Sequence, residues 1–439
     1  MLERLDEPEG RDAGPQPRKV VDVELDRALP SIAPAPPGAG YRWARALVRL
    51  HGRPLGVVEL PVGAAGLSAD ACAGRIWLEL RREIGAHLAA DGLPVPARLT
   101  GRGLAFPGAR PACLAHRSAL RATAPSTSIV IATRDRPQTL ARCLRSLRRI
   151  DHPNFEVIVV DNAPATDATR DMVVRDHAEV RYLREARPGI AAAHNRGFRA
   201  ASGSLVAFTD DDVSVDELWL LALAAGFTGD AGVACVTGLI VPAELETPAQ
   251  VWADRHWGLG KGFRDEEFRR PLRRLSASPY PYTAGSFGSG ANMAFRASAL
   301  RELGGFDPLI GAGTPACGGD DLAAFFGVIA AGHAIRYTPA ALVRHWYARD
   351  VDALRRQAFG YGAGLSAYLA KVLADDPVRA LDLAVRTPAA LAHARTLSRR
   401  RGAGTGAPSE LLRLERRGMV RGVTGYVRSR RRFAAGARG

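Results

Sequence analysis

The pattern of apolar and polar residues divides the chain near residue 126. Before that point, residues 45–50 and 55–60 are apolar runs on either side of a short turn at 51–54, which predicts a pair of strands. After Ser68, which suits a helix N-cap, apolar residues recur every four positions as far as Gly92. We therefore expect a small α+β accessory domain and its linker over residues 19–120.

From residue 126 onward, short apolar runs alternate with helical patterns. Strands are predicted at four places, residues 128–132, 157–160, 180–183 and 205–208. Helices are predicted to begin at Pro137 and after Gly189. Regular alternation of this kind is typical of a parallel sheet with helices on its faces. The sequence thus predicts an α/β domain over residues 126–350.

The two ends of the chain have a different composition. Residues 1–18 are polar and rich in Gly, Pro and charge, so we expect them to be disordered. Residues 351–394 are predicted to form a helical extension. Residues 395–439 hold thirteen arginines and two glutamates, a large part of the net charge of +15. A tail of this kind suits an anionic membrane surface, although a solvated arginine run is an equal alternative. Without any nucleic-acid-binding motif, nucleic acid is not an expected partner.

Cysteine content and apolar segments indicate the compartment. The five cysteines lie far apart and form no CxxC pair, so neither a zinc cluster nor a disulfide framework is indicated. The longest apolar stretches, 218–227 and 322–335, are too short for a bilayer. The first residues are charged and do not resemble a secretory signal. We expect a cytoplasmic protein, or one bound peripherally at the inner face of the membrane.

Three consecutive acids follow the strand predicted at 205–208. Carboxylates at Asp210, Asp211 and Asp212 repel one another unless a cation lies between them, and hard oxygen ligands suit Mg²⁺ or Mn²⁺. Asp135 and Asp161 follow the ends of two other predicted strands, so all these acids should meet at one edge of the sheet. The sequence therefore predicts a metal and nucleotide site. Helix capping by the acids is the alternative.

Several segments together resemble the family 2 glycosyltransferases of the GT-A fold. Both the residues of these segments and their order along the chain resemble the family. The segments are 128–137, 157–162, 187–197, 208–212, 290–296, 304–308 and 318–322. The resemblance covers roughly residues 126–350. Neither the G-x-G-x-x-G dinucleotide fingerprint nor a P-loop is present.

The resemblance implies a set of residues that bind a nucleoside diphosphate sugar. Thr133 and Asp135 would border the base, and Asp161 would accept from the base N–H or the ribose hydroxyl. Arg187 would face the diphosphate. Asn195 lies in the same motif as Arg187 and is expected at the donor site.

Three residues are implied as metal ligands. Asp210 and Asp212 occupy the outer positions of a D-x-D motif, where Asp210 would reach ribose or metal and Asp212 the metal. His345 would contact metal or diphosphate, with packing beside Trp346 as an equal alternative. Asp211 is expected to be structural.

The resemblance also places the catalytic base in the pair Asp320–Asp321. The family has Glu-Asp here, so the first position departs from its pattern. Asp321 is the expected base, which takes the proton of the acceptor hydroxyl. Asp320 is expected to support it, although the two could exchange roles. A helix N-cap is the structural alternative.

These implications define the expected function. The protein would be a metal-dependent, inverting glycosyltransferase that uses a UDP- or dTDP-type donor and a hydroxyl acceptor. The basic tail fits a lipid-linked acceptor, with a soluble acceptor as the alternative. Residues 356–361 lack the Gln-x-x-Arg-Trp motif of polymerising relatives, so single addition is favoured. Two alternatives are a non-catalytic nucleotide-binding scaffold and a sugar-nucleotide nucleotidyltransferase.

Overall fold

The structure, a computed structural model, describes residues 16–36, 40–270, 279–387 and 409–436. The strands are β1 Arg18–Glu24, β2 Trp43–Leu50, β3 Arg53–Pro61, β4 Thr127–Thr133, β5 Phe155–Asn162, β6 Arg181–Glu185, β7 Leu205–Asp210, β8 Val213–Val215, β9 Val233–Pro242, β10 Glu266–Phe268, β11 Asn292–Arg296 and β12 Ala334–His345. The helices are α1 Ala69–Ala90, α2 Ala112–Ala122, α3 Pro137–Leu147, α4 Ala168–Asp176, α5 Ile190–Ala200, α6 Trp219–Ala225, α7 Pro248–Trp257, α8 Ala297–Glu302, α9 Asp320–Ala330, α10 Val351–Asp375, α11 379–387 and α12 Ser409–Gly436.

The first sheet and α1 form the accessory domain. β2 and β3 pair antiparallel around the two-residue turn His51–Gly52, where both residues have positive φ, and β1 adds parallel to β2. Ser68 accepts the N–H of Ala71 at 3.3 Å and caps α1, as its position predicts. The apolar residues of α1 that recur every four positions pack on the sheet. Of the segment predicted to be disordered, only residues 16–18 are described, and β1 begins at Arg18.

The second sheet has nine strands and carries the α/β domain. Its order is β10-β12-β9-β11-β7-β4-β5-β6, with β8 beside β12. The four strands predicted from the sequence are β4, β5, β6 and β7, and they pair in parallel. β11 runs antiparallel to both β7 and β9, so the sheet is mixed. Buried apolar clusters on both faces hold the helices against it.

The basic C-terminal segment is a packed helix over the residues that are described. α12 turns a stripe of small and apolar residues, among them Gly418, Gly422 and Tyr426, towards the protein, and these are buried. A Cβ on Gly422 would lie 2.0 Å from the carbonyl oxygen of Ala363, so the backbones of α10 and α12 are in direct contact. The segment predicted as a tail therefore includes a helix that packs against the rest of the protein. Residues 395–408 and 437–439 lie outside the described residues. Among the residues that are described, no helix is long and apolar enough to cross a membrane.

Ion pairs fix the accessory domain to the α/β domain. The Arg49 guanidinium donates to both carboxylate oxygens of Asp216, at 2.7 and 3.1 Å, and this pair is largely buried. Arg344 of β12 reaches Asp22 at 2.6 Å. Because a bidentate buried pair allows one orientation, the two domains have a defined contact.

Candidate active site

The carboxyl ends of three parallel strands bring together three of the predicted nucleotide-site residues, Thr133, Asp161 and Asp210. In the strand register Thr133 lies beside Asp161, and Ala132 lies beside Asp210. Thr133 and Asp210 line a cavity of about 270 Å³ together with Asp212, Asn162 and residues of the loop at 312–313. The edge predicted from the sequence is thus the edge that holds the cavity.

Asp210, Asp212 and His345 form a compact group of possible metal ligands. One ligand atom from each lies within 4.8 Å of the others. His345 reaches this position because β8, which directly follows Asp212, pairs with the end of β12. The Nε2 atom of His345 lies 3.3 Å from Oδ1 of Asp212. The three residues predicted as metal ligands are therefore adjacent.

The electrostatics of this group favour a cation. Burial raises the pKa of Asp210 well above its usual range, and the nearby carboxylates of Asp212, Asp211, Asp320 and Asp321 raise it further. Among the described residues, Oδ1 of Asp212 and Nδ1 of His345 are buried without a hydrogen-bond partner. Two carboxylates and one imidazole with unused lone pairs fit Mn²⁺ or Mg²⁺.

The middle acid, Asp211, is held in place by neighbouring side chains, and its structural role stays a prediction. Its carboxylate accepts hydrogen bonds from the Thr133 hydroxyl and from Arg136, each at 2.7 Å. The second Nη of Arg136 donates to Asp212 at 3.1 Å. Burial raises the pKa of Asp211 to about 6, although Arg136 opposes the shift. Arg136 was missed from the sequence, where its only signal is its place directly after the first strand end.

Asp161 is a buried acid with one unused oxygen. Its Oδ2 accepts from the Tyr182 hydroxyl at 2.9 Å, and its Oδ1 has no partner among the described residues. Burial raises the pKa of Asp161, while the Tyr182 hydrogen bond opposes that shift. Asp135 has a φ of 52° and accepts the N–H of Ala165 at 2.9 Å, which ties the loop after β5 to the loop after β4.

Asn195 and Arg187 lie differently from the other predicted donor-site residues. The Asn195 amide donates to the carbonyl of Phe306 at 2.7 Å and accepts its N–H at 2.8 Å, so its polar atoms hold the 305–306 loop. Arg187 is exposed, and its guanidinium lies over the ring of Phe433 in α12, with Cζ 4.3 Å from the ring centroid. It lines a second cavity of about 450 Å³, which also includes Gly313 of the first.

The Asp320–Asp321 pair opens α9, close enough to Asp210 to raise the pKa of that acid. Both oxygens of Asp321 accept main-chain N–H groups, from Gly290 at 2.9 Å and Leu322 at 2.8 Å. Asp320 is 8% exposed, and burial, followed by the Asp321 carboxylate, raises its pKa to about 7. Burial also raises the pKa of Asp321, while these N–H donors oppose the shift. Gly319, with a φ of 89°, lets the carbonyl of Gly364 in α10 approach the start of the helix.

Comparisons with known proteins agree with the motifs. Residues 128–304 match the family described as Glycosyl transferase family 2. Over 316 residues the chain is 32% identical to the "Pre-mycofactocin glycosyltransferase" of Mycobacterium tuberculosis (strain CDC 1551 / Oshkosh), covering 71% of this chain and 58% of that protein. A "Validoxylamine A glucosyltransferase" of Streptomyces hygroscopicus subsp. limoneus is 36% identical over 120 residues, 26% of each chain. The matched region thus spans less than two thirds of these relatives.

Two solved structures match the chain at low sequence identity. A mannosyltransferase from Pyrobaculum calidifontis, solved with GDP-Man and Mn²⁺, is 18% identical with a TM-score of 0.45 and covers 69% of this chain and 87% of its own. GalNAc-T7, solved with UDP, GalNAc and Mn²⁺, is 18% identical with a TM-score of 0.39 and covers 56% and 50%.

Proposed function

The chain belongs to glycosyl transferase family 2, and we propose that it transfers a sugar from a nucleoside diphosphate sugar to a hydroxyl acceptor with inversion at the anomeric carbon. One observation carries the proposal. Asp210 and Asp212 line a cavity at the sheet edge with His345 beside them, and the carboxylate pair that opens α9 is close enough to raise the pKa of Asp210. A metal-dependent transfer needs a metal site for the leaving diphosphate and a carboxylate that can act as the base.

On the donor side, the strand ends would hold the nucleoside. We assign Asp161 as the acceptor for an N–H of the base or a ribose hydroxyl, because its Oδ1 is buried and unused among the described residues. Thr133 and Asp135 would border the base. A UDP- or dTDP-type nucleotide remains our proposal for the donor. Arg187 would reach the diphosphate only after leaving the Phe433 ring.

The metal ligands would be Asp210, Asp212 and His345, with Mn²⁺ or Mg²⁺ as the ion. When bound, such an ion neutralises the charge that develops on the leaving diphosphate. Arg136 keeps Asp211 and Asp212 in place through its two hydrogen bonds. Asn195 acts in our proposal as a positioning residue that fixes the 305–306 loop, rather than as a donor ligand.

On the acceptor side, Asp321 would take the proton as the hydroxyl oxygen attacks the anomeric carbon. Its two main-chain N–H donors hold the carboxylate in one orientation and favour its ionised form. Asp320, whose pKa is raised to about 7, would stay partly protonated behind it. This division of roles follows from the different surroundings of two adjacent acids.

The acceptor and its location are proposals with separate support. The relative from M. tuberculosis is named for pre-mycofactocin, which makes that molecule a candidate acceptor. The outer face of α12 exposes Val420, Val423 and Val427 among arginines, as a segment lying on an anionic membrane would. We retain single addition and a membrane-side acceptor as working proposals.

The experiment that tests the function is a screen of nucleotide sugars for binding and turnover by the full chain. UDP-, dTDP- and GDP-sugars are tested with Mn²⁺, with Mg²⁺ and with chelator, with and without a hydroxyl acceptor. Metal-dependent release of nucleoside diphosphate, and a product of opposite anomeric configuration, are expected. Binding without turnover would favour the scaffold, and release of pyrophosphate from sugar phosphate and nucleoside triphosphate would favour the nucleotidyltransferase.

A further inference from the structure

Four side chains with metal-binding chemistry converge in the accessory domain, remote in sequence from the candidate active site. They are His51 in the β2–β3 turn, His87 and Asp91 at the end of α1, and Cys113 at the start of α2. Their ligand atoms all lie within 4.8 Å of one another. The side chains of His51, His87 and Asp91 are 5%, 8% and 3% exposed, and Cys113 is half-buried at the edge of the group.

The distances between these atoms approximate the edges of a tetrahedron. Nδ1 of His51, Nε2 of His87 and Oδ2 of Asp91 are separated by 3.1, 2.8 and 3.2 Å. The Cys113 sulfur lies 2.9 Å from Oδ2, 3.5 Å from Nδ1 and 4.0 Å from Nε2. Ligands at ordinary zinc distances would be separated by about 3.3 Å, or about 3.5 Å where sulfur is involved.

We propose that His51, His87, Asp91 and Cys113 bind a structural Zn²⁺ ion. Two imidazole nitrogens, one thiolate and one carboxylate are the donor types that tetrahedral zinc takes in proteins. A thiolate and two imidazoles disfavour Mg²⁺ and Ca²⁺, which take oxygen ligands. Four protein ligands leave no open position, so the site is structural rather than catalytic.

The local structure prepares each ligand. His51 has a φ of 52° in the tight turn, and its Nδ1 atom lies 2.8 Å from Oδ2 of Asp91. His87 and Asp91 are separated by one helical turn and therefore lie on the same face of α1. The other oxygen of Asp91 accepts the N–H of Cys113 at 2.8 Å, and this hydrogen bond orients the carboxylate from outside the tetrahedron.

Metal binding requires a defined proton balance. The Cys113 thiol donates to Oδ2 of Asp91 and must lose its proton to solvent as the Zn–S bond forms. His51 must present the lone pair of Nδ1 and carry its proton on Nε2, and His87 must carry its proton on Nδ1. Zinc uptake at neutral pH is therefore expected to release protons.

The site would join the accessory domain to the rest of the protein. The ligands come from three segments, the β2–β3 turn, α1 and α2, and α2 packs against α6 of the α/β domain. Arg117 of α2 donates to the carbonyl of His51, and Gly52 lies against Leu218 just before α6. Zinc would thus hold the β2–β3 turn, α1 and α2 as one unit at the domain contact.

The test measures the metal content of full-length, untagged protein purified without chelator, and its uptake of added Zn²⁺ or Co²⁺ after chelation. About one tightly held zinc ion per chain is expected. Co²⁺ should give the intense visible bands and thiolate charge-transfer absorption of a tetrahedral site with sulfur. Cys113→Ser and His87→Ala should each lower zinc retention at least ~10-fold.

Two controls separate this site from others. His116→Ala changes an exposed histidine three residues after Cys113 and should keep the zinc. Asp212→Asn should also keep it, because Asp212 belongs to the other metal group. Failure of the unmodified protein to retain Zn²⁺ or to give the tetrahedral cobalt spectrum would overturn the proposal, as would zinc retention by both ligand variants.

Discussion

Asp320 and His194 form a buried contact in which Oδ2 of Asp320 lies 3.8 Å from Nδ1 of His194. Both ring nitrogens of His194 lack hydrogen-bond partners among the described residues, and burial lowers its pKa to about 4. A neutral imidazole offers no positive charge to the acid beside it. Asp320 therefore remains a carboxyl with a raised pKa, whereas Asp321 receives two main-chain donors.

This difference predicts which acid is the base. Asp321→Asn keeps the shape but removes the proton acceptor, so transfer should fall by ~10²–10⁴-fold while donor affinity stays within about threefold. Asp320→Asn should cost less. Steady-state rates and donor titrations of the two variants, each with saturating Mn²⁺, make the comparison. A larger loss in Asp320→Asn would reverse the assignment within the pair.

The burial of Asp320 predicts a pH-dependent stability effect. Its pKa is about 7 in the folded protein against an ordinary value of 3.8, so the native state binds the proton more tightly than the unfolded chain does. The free-energy penalty for ionising Asp320 in the folded protein is absent below about pH 4, where the acid is protonated in both states. It grows between about pH 4 and pH 7 and reaches at most ~4 kcal/mol above about pH 7. Asp320→Asn, which never ionises, should therefore become more stable relative to the natural chain as pH rises.

Denaturant unfolding at several pH values in chelator measures this. Asp352→Asn is the matched control, because Asp352 has a side chain that is 74% exposed and should show no such trend. A stability difference between Asp320→Asn and the natural chain that stays constant from pH 4 to pH 8 would contradict the buried-acid interpretation.

The parallel strands explain why the sequence could predict the donor side of the site. Thr133, Asp161 and Asp210 each follow an apolar strand, and parallel strands bring their carboxyl ends to one edge. β9, β11 and β12 were not predicted. β11 pairs antiparallel with β7 and β9, and β12 pairs in parallel with β9, so these contacts join segments that are distant in the chain. His345 could be placed beside Asp212 only through the resemblance, because the β8–β12 pairing spans more than one hundred residues.

Two other features were not predicted from composition or spacing. The arginines of the C-terminal segment drew attention to charge, whereas Gly418, Gly422 and Gly425 provide the close approach of α12 to its neighbours. Cys113 was not predicted as a metal ligand because no second cysteine is nearby in the sequence. Its neighbours His51, His87 and Asp91 come from two other segments, which spacing along the chain does not connect.

His345 is expected to contribute to metal affinity and metal choice. His345→Ala removes the imidazole, so the Mn²⁺ concentration for half-maximal activity should rise about 10-fold or more, and the preference for Mn²⁺ over Mg²⁺ should narrow. Activity titrations with each ion measure both effects. His333→Ala is the control, since His333 pairs with Glu302 and not with the metal group. Identical titrations for the two variants would remove His345 from the ligand set.

The exposed face of α12 predicts salt-sensitive attachment to anionic vesicles. Arg417→Gln, Arg421→Gln and Arg428→Gln together should weaken binding at least ~10-fold, given ~1 kcal/mol per basic residue near such a surface. Co-sedimentation at low and high salt measures it. A triple variant with the same charge change at Arg148, Arg170 and Arg175, which are also exposed, is the control. Equal binding by both triple variants would leave α12 without a membrane role.

The most direct test of the account is turnover of a nucleotide sugar by the natural chain and by Asp212→Ala. Asp212 should hold the cation that neutralises the leaving diphosphate, so we predict metal-dependent release of nucleoside diphosphate by the natural chain and none above background by Asp212→Ala. Asp212→Ala leaves His51, His87, Asp91 and Cys113 unchanged, so we expect the accessory domain of the variant to stay folded. Full activity of Asp212→Ala, or full activity of the natural chain in chelator, would contradict a metal-dependent transfer at this site.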